Sequence, residues 1–108
     1  MSLPYKRAQV VEVMERKAAW TLAAPYRSGV TEWQHLLATL RVRKTAASST
    51  EDEQLQARLK LGELLETVQH RRVEFNLAMR DHPLTGALAD LDRSLSRLTD
   101  ELRDELRS

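Results

Sequence analysis

Placed at about 100° per residue, the apolar side chains of this chain fall into four helical stretches separated by turn-forming residues. In the first, Val11, Met14, Ala18 and Leu22 share one stripe with Val10 at its edge, while Val13 and Trp20 lie a heptad apart on another face. Pro4 suits a first helical turn with Ser2 as cap, and Pro25 followed by Ser28-Gly29 suits a stop, so the pattern predicts a helix over 4–24 and a break over 25–30. Thr31-Glu32-Trp33-Gln34 then has the form of a capping box. It opens a second predicted helix over 31–45, with Trp33, Leu36, Leu37 and Leu40 on one face. Those four are expected to pack against Val11, Met14, Ala18 and Leu22. Arg41, Arg43 and Lys44 complement the negative end of that helix.

A small-residue linker, 46–50, leads into another capping box at Thr50-Glu51-Asp52-Glu53. The third predicted helix, 50–80, carries two apolar faces. Leu61, Leu64, Leu65, Val68, Phe75 and Met79 fall within a stripe of about 100°, and Leu55, Leu59, Val73 and Leu77 lie nearly opposite. An amphipathic helix needs one such face, so something must cover the second. Asp81-His82-Pro83 breaks the pattern, since a residue before proline avoids helical angles. Over 84–106 a fourth helix is predicted, with Leu84, Leu88, Leu91, Leu95, Leu98, Leu102 and Leu106 forming a narrow, heptad-like seam. No run reads as a strand. The fold class is all-α, an antiparallel bundle of three long helices plus a C-terminal fourth, docked on the third helix or paired with a second chain.

Composition narrows the chemistry. A chain of 108 residues fits one domain. Seventeen basic against sixteen acidic residues leave a net charge of +1, interleaved along the chain rather than gathered in the basic stripe that phosphate binding requires. The absence of Cys excludes disulfides and thiolate metal sites. The longest charge-free stretch, 18–26, is far below the ~20 residues of a membrane span, and the opening residues lack a secretory apolar core, so a cytoplasmic protein is expected. His35, His70 and His82 stand apart, and only Glu66 with His70 has ligand-like spacing, which reads as a solvated pair. Three isolated Gly residues make no phosphate loop. Neither an enzyme nor a cofactor is expected. What remains is recognition of a protein surface. Either all the apolar faces close one four-helix core, or they leave a groove for a partner's amphipathic helix.

The order of segments resembles the flagellar type III export chaperones of the FliT type. The resemblance rests on Tyr5, on Glu32-Trp33-Gln34-His35-Leu36-Leu37, on Glu53-Gln54-Leu55 after the linker, and on Leu61, Leu64, Leu65 and the 72–77 stretch, and it spans about residues 5–95. It implies a small cytoplasmic bundle that binds the C-terminal helical region of the filament-cap protein and delivers it to the membrane export gate. In some bacteria such a protein also restrains a flagellar transcription activator. Carried onto this sequence, the resemblance lines the partner-binding groove with Leu61, Leu65, Val68, Arg72, Phe75 and Met79, and covers it with Leu84, Leu88 and Leu91. The rival reading is a dimerisation or regulatory module that pairs two copies through the leucine seam.

Overall fold

The computed structural model describes the backbone of residues 3–108, with side chains at Met14 and over 16–108. The cap expected of Ser2 and the packing expected of Val10, Val11 and Val13 lie outside the described residues. Three helices make up the chain: α1 (Leu3–Thr45), α2 (Glu51–Ala78) and α3 (Ala87–Arg107), with no strand among the described residues. The first two predicted helices are one, so there are three helices rather than four, and the one predicted over 84–106 forms as α3.

Helix α1 runs unbroken through Pro25, contrary to the break expected at 25–30. A proline inside a helix removes one ladder hydrogen bond and crowds the carbonyl four residues earlier, at a cost of about 3 kcal/mol. Pro25 and Thr21, whose carbonyl loses its donor, are both exposed, so water can bond what the proline leaves free. The Arg27 guanidinium spans the gap. Its Nη2 donates to the Trp20 carbonyl at 3.2 Å, and the group lies 3.7 Å from the centre of the Trp20 ring. Buried positions continue on both sides of the proline: Ala19, Ala23, Val30, Trp33, Leu37 and Leu40, with Tyr26 packed against them. With Lys44 they recur at alternating steps of four and three, which is coiled-coil spacing.

Ser28-Gly29 is therefore not a stop. A Cβ on Gly29 would sit 2.6 Å from the Trp33 ring, so the glycine lets that ring lie against the preceding turn. Thr31 and Gln34 are exposed inside the helix rather than at a cap. The expected packing of Trp33, Leu36, Leu37 and Leu40 on Met14, Ala18 and Leu22 also fails, because a straight helix cannot fold onto itself. Trp33, Leu37 and Leu40 are buried against the other helices, whereas Leu36, Met14, Ala18 and Leu22 are exposed.

The third predicted helix forms as α2, and its start is well made. Thr50 has extended backbone and its Oγ1 accepts from the Glu53 N–H, while the Glu53 carboxylate meets the same hydroxyl at 3.2 Å. Edge-on contact between Tyr26 and Phe75, with ring centres 5.4 Å apart, sets the antiparallel register of α1 and α2. Keeping it places Trp33 level with Val68, Leu37 with Leu64 and Leu40 with Leu61. Helix α3 runs back along α2 and parallel to α1, and its leucines 91, 95, 98 and 102 are all buried. The leucine seam thus docks within the chain. Thr99 is buried among them and donates its hydroxyl proton to the Leu95 carbonyl at 2.8 Å.

At 1.5 Å per residue α1 is about 65 Å long, α2 about 42 Å and α3 about 32 Å. The molecule is accordingly extended, 73 × 21 × 17 Å, with a radius of gyration of 19.0 Å against about 13 Å for a compact chain of this size. The helices end together at one end only. At the other, α1 outruns the α2–α3 hairpin.

Candidate functional site

The two ends of the bundle close by different means. At the end where all three helices meet the 46–50 linker, Lys44 donates to the Glu105 carbonyl at 2.6 Å and to the Ser108 hydroxyl at 2.8 Å, and pairs with Glu105 Oε1 at 3.0 Å. Arg41 Nε donates to Glu105 Oε2 at 2.8 Å. The Lys44 side chain is 7% exposed and that of Glu105 14%. Burial pushes the Glu105 carboxyl up, but the hydrogen bonds from Lys44 and then Arg41, with their charges, outweigh it and hold the group below the ordinary carboxylate range. From α2, Arg58 reaches the Leu106 and Ser108 carbonyls at 3.3 and 2.8 Å, so cations from both other helices satisfy the end of α3.

The opposite end is open. The 79–86 connection turns beside Arg16–Trp20 of α1, leaving a cleft of about 950 Å³ lined by Arg16, Lys17, Trp20, His82, Pro83 and Leu88, among others. Gly86 starts α3 with φ +55° and no side-chain cap, so this helix begins weakly. Beyond the cleft, α1 continues to Leu3, farther than the length of α2 or α3 reaches. Trp20, in the wall of the cleft, is 40% exposed, and Met14, Leu22 and Leu84 are exposed outside it.

Compared with protein-family models, curated proteins and solved structures, the chain matches none.

The structure distributes the expected site residues unevenly. Leu61, Val68, Phe75 and Met79 are together at the centre of the core, Leu65 packs against its edge, and all lie within the bundle that α3 completes. Arg72 is half-buried, and its Nε has no hydrogen-bond partner among the described residues. The expected cover is graded: Leu91 is buried, Leu88 half-buried, and Leu84 exposed in the loop ahead of α3. The second face of α2 stays bare, with Leu55, Leu59, Val73 and Leu77 exposed by 53, 54, 58 and 62%.

His70 pairs with Glu74 at 2.9 Å rather than with Glu66. Arg71 also bonds Glu74 at 2.8 Å and, ahead of other causes, lowers its pKa. His35 is on the surface. Among the described residues no group of three or more acidic or His side chains is placed to hold a metal ion. No helix among them is long and apolar enough to cross a membrane. Sequence reasoning missed Lys44 with Glu105 and the Arg27–Trp20 stack. The heptad spacing of 37, 40 and 44 was a signal for the first; nothing in the sequence signalled the second.

Proposed function

We propose that this chain is a non-enzymatic helix-binding module of the chaperone type, which holds an amphipathic segment of a partner protein at the open end of the bundle. The observation that carries the reading is the length of α1, which outruns the hairpin, together with the cleft where the 79–86 connection meets it and Trp20 stands 40% exposed. An incoming helix laid into this cleft would bury the exposed ring of Trp20. The residues Leu61, Leu65, Val68, Phe75 and Met79 would serve such a client only if α3 lifted. The client class follows from the resemblance alone: the C-terminal helical region of a flagellar cap protein, held in the cytoplasm before export. The rival dimer through the leucine seam loses support, since that seam is filled within the chain.

The test is a titration of the full chain into a fluorescently labelled cap-protein C-terminal fragment, beside an unrelated amphipathic helix and a non-amphipathic peptide of equal charge. Trp20→Glu and Thr85→Glu, both at exposed positions that line the cleft, should weaken capture at least tenfold, about 1.4 kcal/mol, with circular dichroism unchanged. Equal binding of all three peptides, or indifference to both substitutions, contradicts the reading. A charge at Val68 or Phe75 tests folding instead, because both are wholly buried.

A further inference from the structure

The bare outer face of α2 has an internal symmetry. Leu55 and Val73 are eighteen residues apart, as are Leu59 and Leu77, and eighteen residues are five helical turns, so each pair shares one direction from the axis. Gly62, Glu66 and His70 occupy the row between them. The positions 55, 59, 62, 66, 70, 73 and 77 follow steps of four, three, four, four, three and four, which read the same in both directions about Glu66. A two-fold interface requires one patch that complements itself, and such a row meets that requirement.

We infer that two copies of this chain pair through this face, with their α2 helices antiparallel and the two-fold axis at Glu66. The arrangement goes beyond the helix-capture reading and uses a different surface. It sets Leu55 of one protomer level with Leu77 of its partner, and Leu59 level with Val73, at both ends of the contact. Two further observations favour a second copy over another occupant. The first is Gly62, a mid-helix glycine where Ala would gain about 1 kcal/mol of helix propensity. A Cβ there would meet nothing within 4 Å in the monomer, so packing inside one chain gives no reason for it. In the dimer Gly62 faces His70 of the partner, where a missing side chain lets the helices approach.

The second is charge. Residues 51–64 hold four acidic and two basic side chains, and residues 65–80 hold two acidic and three basic. Antiparallel pairing sets the acidic 51–64 half of one copy beside the net-positive 65–80 half of the other, twice, whereas a parallel pair would set like ends together. One unfavourable element remains, the meeting of the two Glu66 carboxylates at the axis. The row spans about 33 Å of helix, a single helix-on-helix contact, so the dimer is reversible and concentration-dependent rather than obligate.

Sedimentation equilibrium of the full chain should show a monomer–dimer equilibrium below about 1 mM, where binding is worth some 4 kcal/mol. Leu59→Glu should weaken it at least tenfold with circular dichroism unchanged, and Glu66→Gln should tighten it several-fold. Because the chain has no Cys, Glu66→Cys supplies a single thiol at the axis and should give a disulfide-linked dimer on mild oxidation. Leu55→Cys should link only when mixed with Leu77→Cys. A monomer at 1 mM overturns the inference, as does a dimer that ignores Leu59→Glu or one in which Glu66→Cys does not link.

Discussion

The two ends of this bundle are built from similar helices and finish differently. Where α1 and α3 stop and α2 starts together, Thr50 caps α2, Lys44 and Arg58 donate to backbone carbonyls in the last turn of α3, and Arg41 pairs with the Glu105 carboxylate. Where α1 runs on alone, the connection carries Pro83 and an uncapped Gly86, and apolar side chains stay in water. The difference teaches that position relative to the neighbouring helices, more than residue size, decides which apolar side chains of this chain are core. Leu22 and Ala23 are adjacent in α1, yet the alanine is fully buried and the leucine is 48% exposed.

Substitution in the core should break that contrast most visibly. Leu61→Ala, at a fully buried position near the closed end, should cost about 2–5 kcal/mol in denaturant unfolding. Leu88→Ala, half-buried beside the cleft, should cost less than half as much, and equal costs would mean that the open end is packed as tightly as the closed one.

Next in size is the polar clamp. Glu105→Gln should cost about 1–3 kcal/mol at neutral pH, above a surface pair and below a fully buried one. The pKa of Glu105 is lower in the fold than its ordinary value near 4.5, so its contribution is complete above that value and is lost as the pH falls through the folded value. Unfolding curves taken from pH 7 downward should therefore show an acid-side loss that Glu105→Gln diminishes. A variant with the same acid profile as the parent would remove the clamp from the account.

The smallest effects compare two glycines. Gly29→Ala drives a methyl into the Trp33 ring and should destabilise by about 1–3 kcal/mol. Gly62→Ala meets open space and should stabilise the monomer by about 0.5–1 kcal/mol while weakening self-association. Thermal melts at dilute concentration, paired with sedimentation, separate the two.

Periodicity made the all-helical class, the cap at Thr50, the two apolar stripes of α2 and the leucine seam legible. It failed where large apolar residues and small ones competed for the same helix. The seam of α1 uses Ala19, Ala23 and Tyr26 in its first half, which weigh little beside Met14 and Leu22, so the bulkier stripe was read as core. Pro25, Ser28 and Gly29 form a sound local stop signal, and tertiary packing on both sides of the proline overrides it. The same error hid the open end, because splitting α1 in two folds its first half back onto the bundle and leaves no overhang. The outer face of α2 was visible as a second stripe, but only the burial of its opposite showed that the chain itself leaves this one uncovered.

The central claim is therefore that α1 passes Pro25 as one helix, and a distance measures it directly. Spin labels at Ala18→Cys and Val42→Cys, both exposed positions in a chain without other thiols, should lie about 36 Å apart along a continuous helix by pulsed electron resonance. A hairpin turning at 25–30 would bring them within about 10–15 Å, given the 8–10 Å between packed helices. A single long distance supports the overhang and the open end built on it, and a short one contradicts both.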